Sequence, residues 1–273
     1  MKRTFLVLFV LGMVGSAPPV SSVATVTSGT PQSQSFAQDG ATEYPPGLSA
    51  DGVTDPLALA DAHREALGNT SYTVATSYAF RRPNGTVLSQ GITTTRVSSG
   101  GESFYAVTSQ TQSNATRPLG IGRYELATWA NETRAVTARQ VRGGEPTYRE
   151  VSRERAPFEP DTQWELLYSA FAATNTTVVE RFERDGTALF RVVSTEQPRP
   201  ELASVYGGSY SLVAIVDSQG VVRTLQQTYR TTFEDRPAVV SRTVRLTRLG
   251  NTTVERPDWY EKAVANGTTN ETR

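Results

Sequence analysis

The sequence predicts an α+β fold: a strongly curved antiparallel sheet, a half-barrel, with helices on its concave face. Three observations predict it. Most of the chain from Ser71 onward alternates apolar and polar residues with period two. Short turn signals such as Arg82-Pro83-Asn84-Gly85, Gly143-Gly144 and Asp185-Gly186 separate consecutive alternating segments and imply hairpins. Two stretches break the alternation with helical spacing, giving the order helix, meander, helix, meander.

In chain order, Asp55 caps the first helix and Pro56 suits its first position. The body runs from Leu57 to Leu67, with Leu59, Ala62, His63 and Ala66 on one face and Gly68 as the stop. In Ser71–Phe80, Tyr72, Val74, Tyr78 and Phe80 point one way, and Ser71, Thr73, Ala75 and Ser77 the other. Further strands are predicted at Val87–Ser98, Ser103–Gln110, Tyr124–Ala130, Arg134–Val141 and Thr147–Arg153, with a looser segment before Tyr124. Pro160-Asp161 opens the second helix, with Asp161 as its cap. Trp164, Leu167, Tyr168 and Phe171 then recur at i, i+3, i+4 and i+7, one stripe of large side chains. Strands resume at Val178–Arg184, Leu189–Thr195, Leu212–Val216, Val221–Phe233 and Val239–Leu249. Glu201–Tyr206 reads as a short helix, and Pro257-Asp258 caps a last one through Val264.

Composition bounds the function. The 273 residues carry equal numbers of acidic and basic side chains, 27 of each, so there is no broad basic surface for a nucleic-acid backbone. There is no cysteine, hence no disulfide, thiolate nucleophile or thiolate metal site. The single histidine, His63, lies on a helix face beside Ala and Leu, reads as a packed or surface residue, and has no G-x-S-x-G elbow to serve. Most carboxylates alternate with arginine or sit in turns, as in Arg153-Glu154-Arg155, and no pair stands out for glycoside hydrolysis. Asp51-Gly52-Val53-Thr54-Asp55 reads as a turn plus a helix cap, since it lacks the full calcium-loop pattern. No catalytic residue, metal or cofactor is expected.

Two features predict export. Lys2 and Arg3 precede a short apolar run, Thr4–Gly15, and Ser22-Val23-Ala24 offers a small-residue cleavage site. All eight asparagines, Asn69, Asn84, Asn114, Asn131, Asn175, Asn251, Asn266 and Asn270, are followed by a non-proline residue and then Ser or Thr. Chance in a Ser/Thr-rich chain gives some asparagines that context, not every one; these are N-glycosylation acceptors, expected on turns and loops of an extracellular or surface protein. The organisation expected is a signal peptide over 1–24 (cleaved, or kept as a tether), a flexible linker over 25–43, one domain over 44–265 and a disordered tail over 266–273.

Tyr44-Pro45-Pro46-Gly47-Leu48-Ser49-Ala50-Asp51-Gly52-Val53-Thr54-Asp55, followed by Leu59-Ala60-Asp61-Ala62-His63 and Ser71-Tyr72-Thr73, resembles the opening of surface lipoproteins of halophilic archaea; Arg256-Pro257-Asp258-Trp259 is similar to their ending. That family carries a lipobox cysteine, where this chain has Ser16-Ala17-Pro18. The element order further resembles the lipoprotein-carrier fold of the LolA and LppX types, in which a curved sheet plugged by helices holds acyl chains. That resemblance implies non-enzymatic binding or carriage of a hydrophobic ligand such as a lipid, at the membrane surface or cell envelope. Trp164, Tyr168 and Phe171 would line the cavity, with Tyr72, Tyr78 and Phe80 opposite. The alternatives are a structural or interaction glycoprotein whose same residues form a closed core, and an extracellular carboxylate-dependent hydrolase.

Overall fold

Alternation turns into architecture through strand pairing. The computed structural model describes residues 43–112, 123–194, 196–200, 206, 209–233 and 235–267. The signal segment, residues 25–42 of the linker, residues 201–205 of the expected short helix, Asn114 and residues 268–273 of the expected tail lie outside the described residues. A two-residue hairpin, β1 (Leu48–Ser49) with β2 (Gly52–Val53), precedes helix α1 (Pro56–Gly68). A first meander follows: β3 (Tyr72–Arg81), β4 (Val87–Val97), β5 (Phe104–Gln112), β6 (Arg123–Ala130), β7 (Arg134–Val141) and β8 (Thr147–Ser152). Helix α2 (Trp164–Ala172) leads into a second: β9 (Thr177–Arg184), β10 (Thr187–Ser194), β11 (Tyr210–Asp217), β12 (Val222–Phe233) and β13 (Arg236–Thr247). Helix α3 (Tyr260–Gly267) closes the described chain.

The two meanders join at their far ends in sequence. β13 pairs antiparallel with β3, from Val239↔Arg81 to Thr247↔Thr73, giving one curved, unclosed sheet of eleven strands in the order β8-β7-β6-β5-β4-β3-β13-β12-β11-β10-β9. The edge strand β9, Thr-Val-Val-Glu-Arg-Phe-Glu-Arg, carries two carboxylates and two guanidinia, which oppose pairing with another chain's edge.

Register assigns every strand residue to a face. Tyr72, Val74, Val97, Phe104, Leu246, Leu225, Ala214, Val216 and Phe190 share one face through their cross-strand partners and build the main apolar core with α1 and α2. Tyr105, Trp129 and Val136 share the other face, where Tyr260 and Ala263 of α3 pack on them in a second cluster. The sequence predicts helices on one face; α1 and α2 share one but α3 packs on the other, because the apolar alternation of β5–β7 changes sides: Trp129 and Val136 are large and apolar on the face opposite Ala130 and Ala135. Among the described residues no helix is long and apolar enough to cross a membrane.

Local chemistry explains the N-terminal corner. Asp55 caps α1 as expected, its Oδ1 accepting from the Leu57 and Ala58 amides at 3.0 Å. Gly52 sits at φ +124, and a Cβ there would lie 2.1 Å from the Thr176 carbonyl oxygen, so only glycine lets β2 approach the strand β9 end this closely. The inward face of α1 is Leu59, Ala60, His63 and Leu67 rather than Leu59, Ala62, His63 and Ala66, a small rotation that seats Leu67. α2 begins two residues later than a cap at Asp161 predicts. Its cap is Gln163 in the left-handed region (φ 65), and Asp161 Oδ1 instead takes the Gln163 amide at 2.8 Å, a turn rather than a helix cap.

Candidate ligand site

The α2 stripe divides as it meets the sheet. Phe171 is 1% exposed and sits in the core with Leu167 and Ala170. Tyr168 is 41% exposed. Trp164 stacks on Tyr168 with ring centroids 5.6 Å apart, donates its indole N–H to Asp61 Oδ1 at 2.8 Å, and lies under the Arg64 guanidinium. A helix of nine residues presents only about two and a half turns, and its inward arc is filled by Leu167, Ala170 and Phe171. Trp164 and Tyr168 thus form a flank against α1. Tyr72, on the strand opposite, is buried in the same core, and burial pushes its phenol up to about 12.

Tyr78 and Phe80 lie on the same sheet face as Tyr72 but at the other end of β3, half-buried and outside both apolar clusters. The structure gathers other aromatics around that end. Phe80 packs on Phe233 at 4.9 Å and edge-on to Tyr78 at 5.8 Å. Tyr206, Tyr210 and Tyr229 form a trio with centroids 5.0 to 6.5 Å apart. Register puts Phe80, Val240, Tyr229 and Tyr210 in one row across four strands. The Tyr210 hydroxyl donates to the Ala170 carbonyl of α2 at 2.8 Å, so the trio is where the helix-covered core ends. From there Phe80, Tyr78 and Phe233 carry an aromatic floor beyond the core. Tyr78 also lies across Gly91, where a Cβ would come within 2.7 Å of its ring, and its hydroxyl accepts from Gln110 Nε2.

Of the six residues nominated by the sequence, Phe171 and Tyr72 therefore share the closed core, Trp164 and Tyr168 share an outer flank, and Tyr78 and Phe80 share the aromatic floor. Tyr206, Tyr210, Tyr229 and Phe233 were not nominated. The alternation Leu225, Gln227, Tyr229, Thr231, Phe233 does mark a common face. That this face continues onto β3 depends on the β13–β3 pairing between residues more than 150 positions apart, which no local pattern reveals.

The reverse of the sheet carries a groove of about 360 Å³ over the same strands. Its lining is short and hydroxyl-rich, including Ser77, Ala79, Ser109, Ser241 and Thr243, with Arg81 and the exposed Ile92 at its borders. It offers hydroxyls, with Tyr78 as the aromatic residue of its lining.

His63 is fully buried and neutral in character. Its Nδ1 accepts from the Val222 amide at 3.0 Å, which leaves the proton on Nε2 to be donated to the Thr162 carbonyl at 2.9 Å. Burial lowers its pKa to about 4, opposed by the Thr162 bond and by Asp217. It ties α1 to β12 and to the segment before α2. Asp217 is itself committed to the Gln219 and Val221 amides and to Arg223 Nε at 2.7 Å. Among the described residues no group of three or more His, Asp or Glu could hold a metal ion.

Five of the described sequons fall between elements or at their ends. Asn69 closes α1; Asn84 and Asn131 are in the β3–β4 and β6–β7 turns; Asn175 precedes β9; Asn251 follows β13. Asn69, Asn84, Asn175 and Asn251 are exposed, and Asn131 is half-buried. Asn266, expected in a tail, lies within α3.

No family model and no curated protein sequence matches the chain. Solved structures give looser likenesses. LprF from Mycobacterium bovis is similar over 77% of this chain and 99% of its own, with 13% identity and a TM-score of 0.40. The lipoprotein LppX from Mycobacterium tuberculosis covers 73% of this chain and 97% of its own, at 11% identity and a TM-score of 0.32. A DUF1329 family protein from Desulfovibrio piger covers 77% and 97%, at 12% identity and a TM-score of 0.27. All three TM-scores lie below 0.5, a likeness too loose to transfer a ligand or an activity.

Proposed function

We propose that this chain is an exported, N-glycosylated cell-surface protein that binds or carries a hydrophobic ligand, a lipid, without catalysis. The observation that carries the reading is the aromatic floor: Tyr78, Phe80 and Phe233 extend an apolar sheet face past the end of the core, flanked by Tyr206, Tyr210 and Tyr229. Half-buried aromatics that join neither closed cluster are surface on which an acyl chain gains free energy, at about 25 cal/mol per Å² of apolar area covered. The face bearing α1 and α2 is then the concave face. Trp164 and Tyr168, on the flank of α2 against α1, are not part of its lining. Export rests on the N-terminal apolar run and on sequons that fall in turns and at element ends.

Native mass spectrometry of the protein purified from its own host, with organic extraction, tests the reading. A stoichiometric lipid adduct that Phe80→Asp removes is the expected result. Protein carrying glycans and no lipid sinks tight lipid carriage. The closed packing of Phe171 and Tyr72 would then favour a structural or interaction glycoprotein of the envelope.

A further inference from the structure

One row of the aromatic face carries a cationic side chain, Arg242. Cross-strand register places Gln110, Gly91, Tyr78, Arg242, Gln227 and Leu212 side by side across β5, β4, β3, β13, β12 and β11. The row toward the core reads Thr76, Val244, Leu225, Ala214 across the four central strands; the row on the other side reads Phe80, Val240, Tyr229, Tyr210. Along β13, Arg242 is thus set between the buried Val240 and Val244, on the face that also carries the closed core.

A half-buried guanidinium in such a place costs free energy unless an anion answers it. None of the six ion pairs among the described residues includes Arg242. Its charge acts instead on Tyr229, opposing the rise that burial imposes on that phenol. The neighbours of Arg242 in the row supply no anion: the Tyr78 ring lies across Gly91, on the side away from β13, with its hydroxyl on Gln110, and Gln227 Nε2 donates to the Tyr210 hydroxyl at 3.0 Å.

We infer that Arg242 forms the head-group site of this surface, and that the ligand is a long-chain carboxylate whose alkyl chain lies on Phe80, Phe233 and Tyr229. The inference rests on the reading that this end of the sheet binds an apolar ligand, and it names the class. A guanidinium is a planar fork of N–H donors with no acceptor, and it pairs with the two oxygens of one carboxylate.

Calorimetric titration of the full chain with laurate and with dodecanol, at about pH 8 where the carboxylate is ionised, tests this. Wild type binds laurate roughly tenfold or more tightly than dodecanol. Arg242→Gln brings laurate down to the dodecanol level and leaves dodecanol unchanged; Arg242→Lys keeps part of the preference. Circular dichroism reports whether each variant folds, and the wild-type comparison needs no variant. Equal binding of laurate and dodecanol, a preference that survives Arg242→Gln, or stronger binding of phosphatidylglycerol than of laurate overturns the assignment. If neither laurate nor dodecanol binds wild type, the apolar site itself is wrong and the head-group assignment falls with it.

Discussion

His63 shows how one side chain couples the fold to pH. Its folded pKa, about 4, lies below the ordinary value of 6.5, because protonation would charge a buried ring and turn Nδ1 from an acceptor into a donor facing the Val222 N–H. Its stabilisation is therefore fully present above pH 6.5 and is lost as pH falls toward 4, up to roughly 3 kcal/mol in all. Urea denaturation at both ends of that window checks this: His63→Gln flattens the pH dependence of wild type, and an unchanged slope contradicts the assignment. Phe171 and Tyr168 offer a second comparison. Phe171→Ala leaves a cavity in the core and costs about 3–5 kcal/mol, whereas Tyr168→Ala costs under about 1 kcal/mol. Helical spacing alone treats the two as equivalent. Only the sheet beneath α2 distinguishes them, and the sheet is assembled from strands on both sides of that helix in sequence.

Local signals located the elements well where chain and structure agree over short range. Asp55-Pro56 fixed the start of α1, and Asn-Gly, Gly-Gly and Asp-Gly marked turns that the structure contains. The Asp161 signal misled because Pro160-Asp161 also suits a turn, and the His63–Thr162 bond holds that turn open against α1. α3 was legible as a helix but not as a lid for the second face, since its partners Trp129 and Val136 lie more than a hundred residues earlier. Ala263→Asp introduces a charge into this fully buried contact and undocks α3. Hydrogen exchange is expected to rise in α3 and at Trp129 while β3, β12 and β13 stay protected. Uniform loss of protection throughout the sheet contradicts an independent second cluster.

At the scale of the whole molecule, the sheet gives two faces with different chemistry over the same central strands. One carries the aromatic floor and Arg242; the reverse carries the hydroxyl-lined groove. The curved antiparallel sheet was legible from alternation and turns. The location of the ligand surface was not, because it is made by β13 returning to β3 and by β12 beside it. Equilibrium titration with the fluorescent apolar probe N-phenylnaphthylamine tests the central claim most directly, using wild type, Phe80→Asp on the aromatic face and Ser241→Asp in the opposite groove. Saturable binding to wild type and to Ser241→Asp, weakened roughly tenfold or more by Phe80→Asp, is the predicted result. Binding lost in Ser241→Asp and kept in Phe80→Asp, or no saturable binding to wild type, contradicts it.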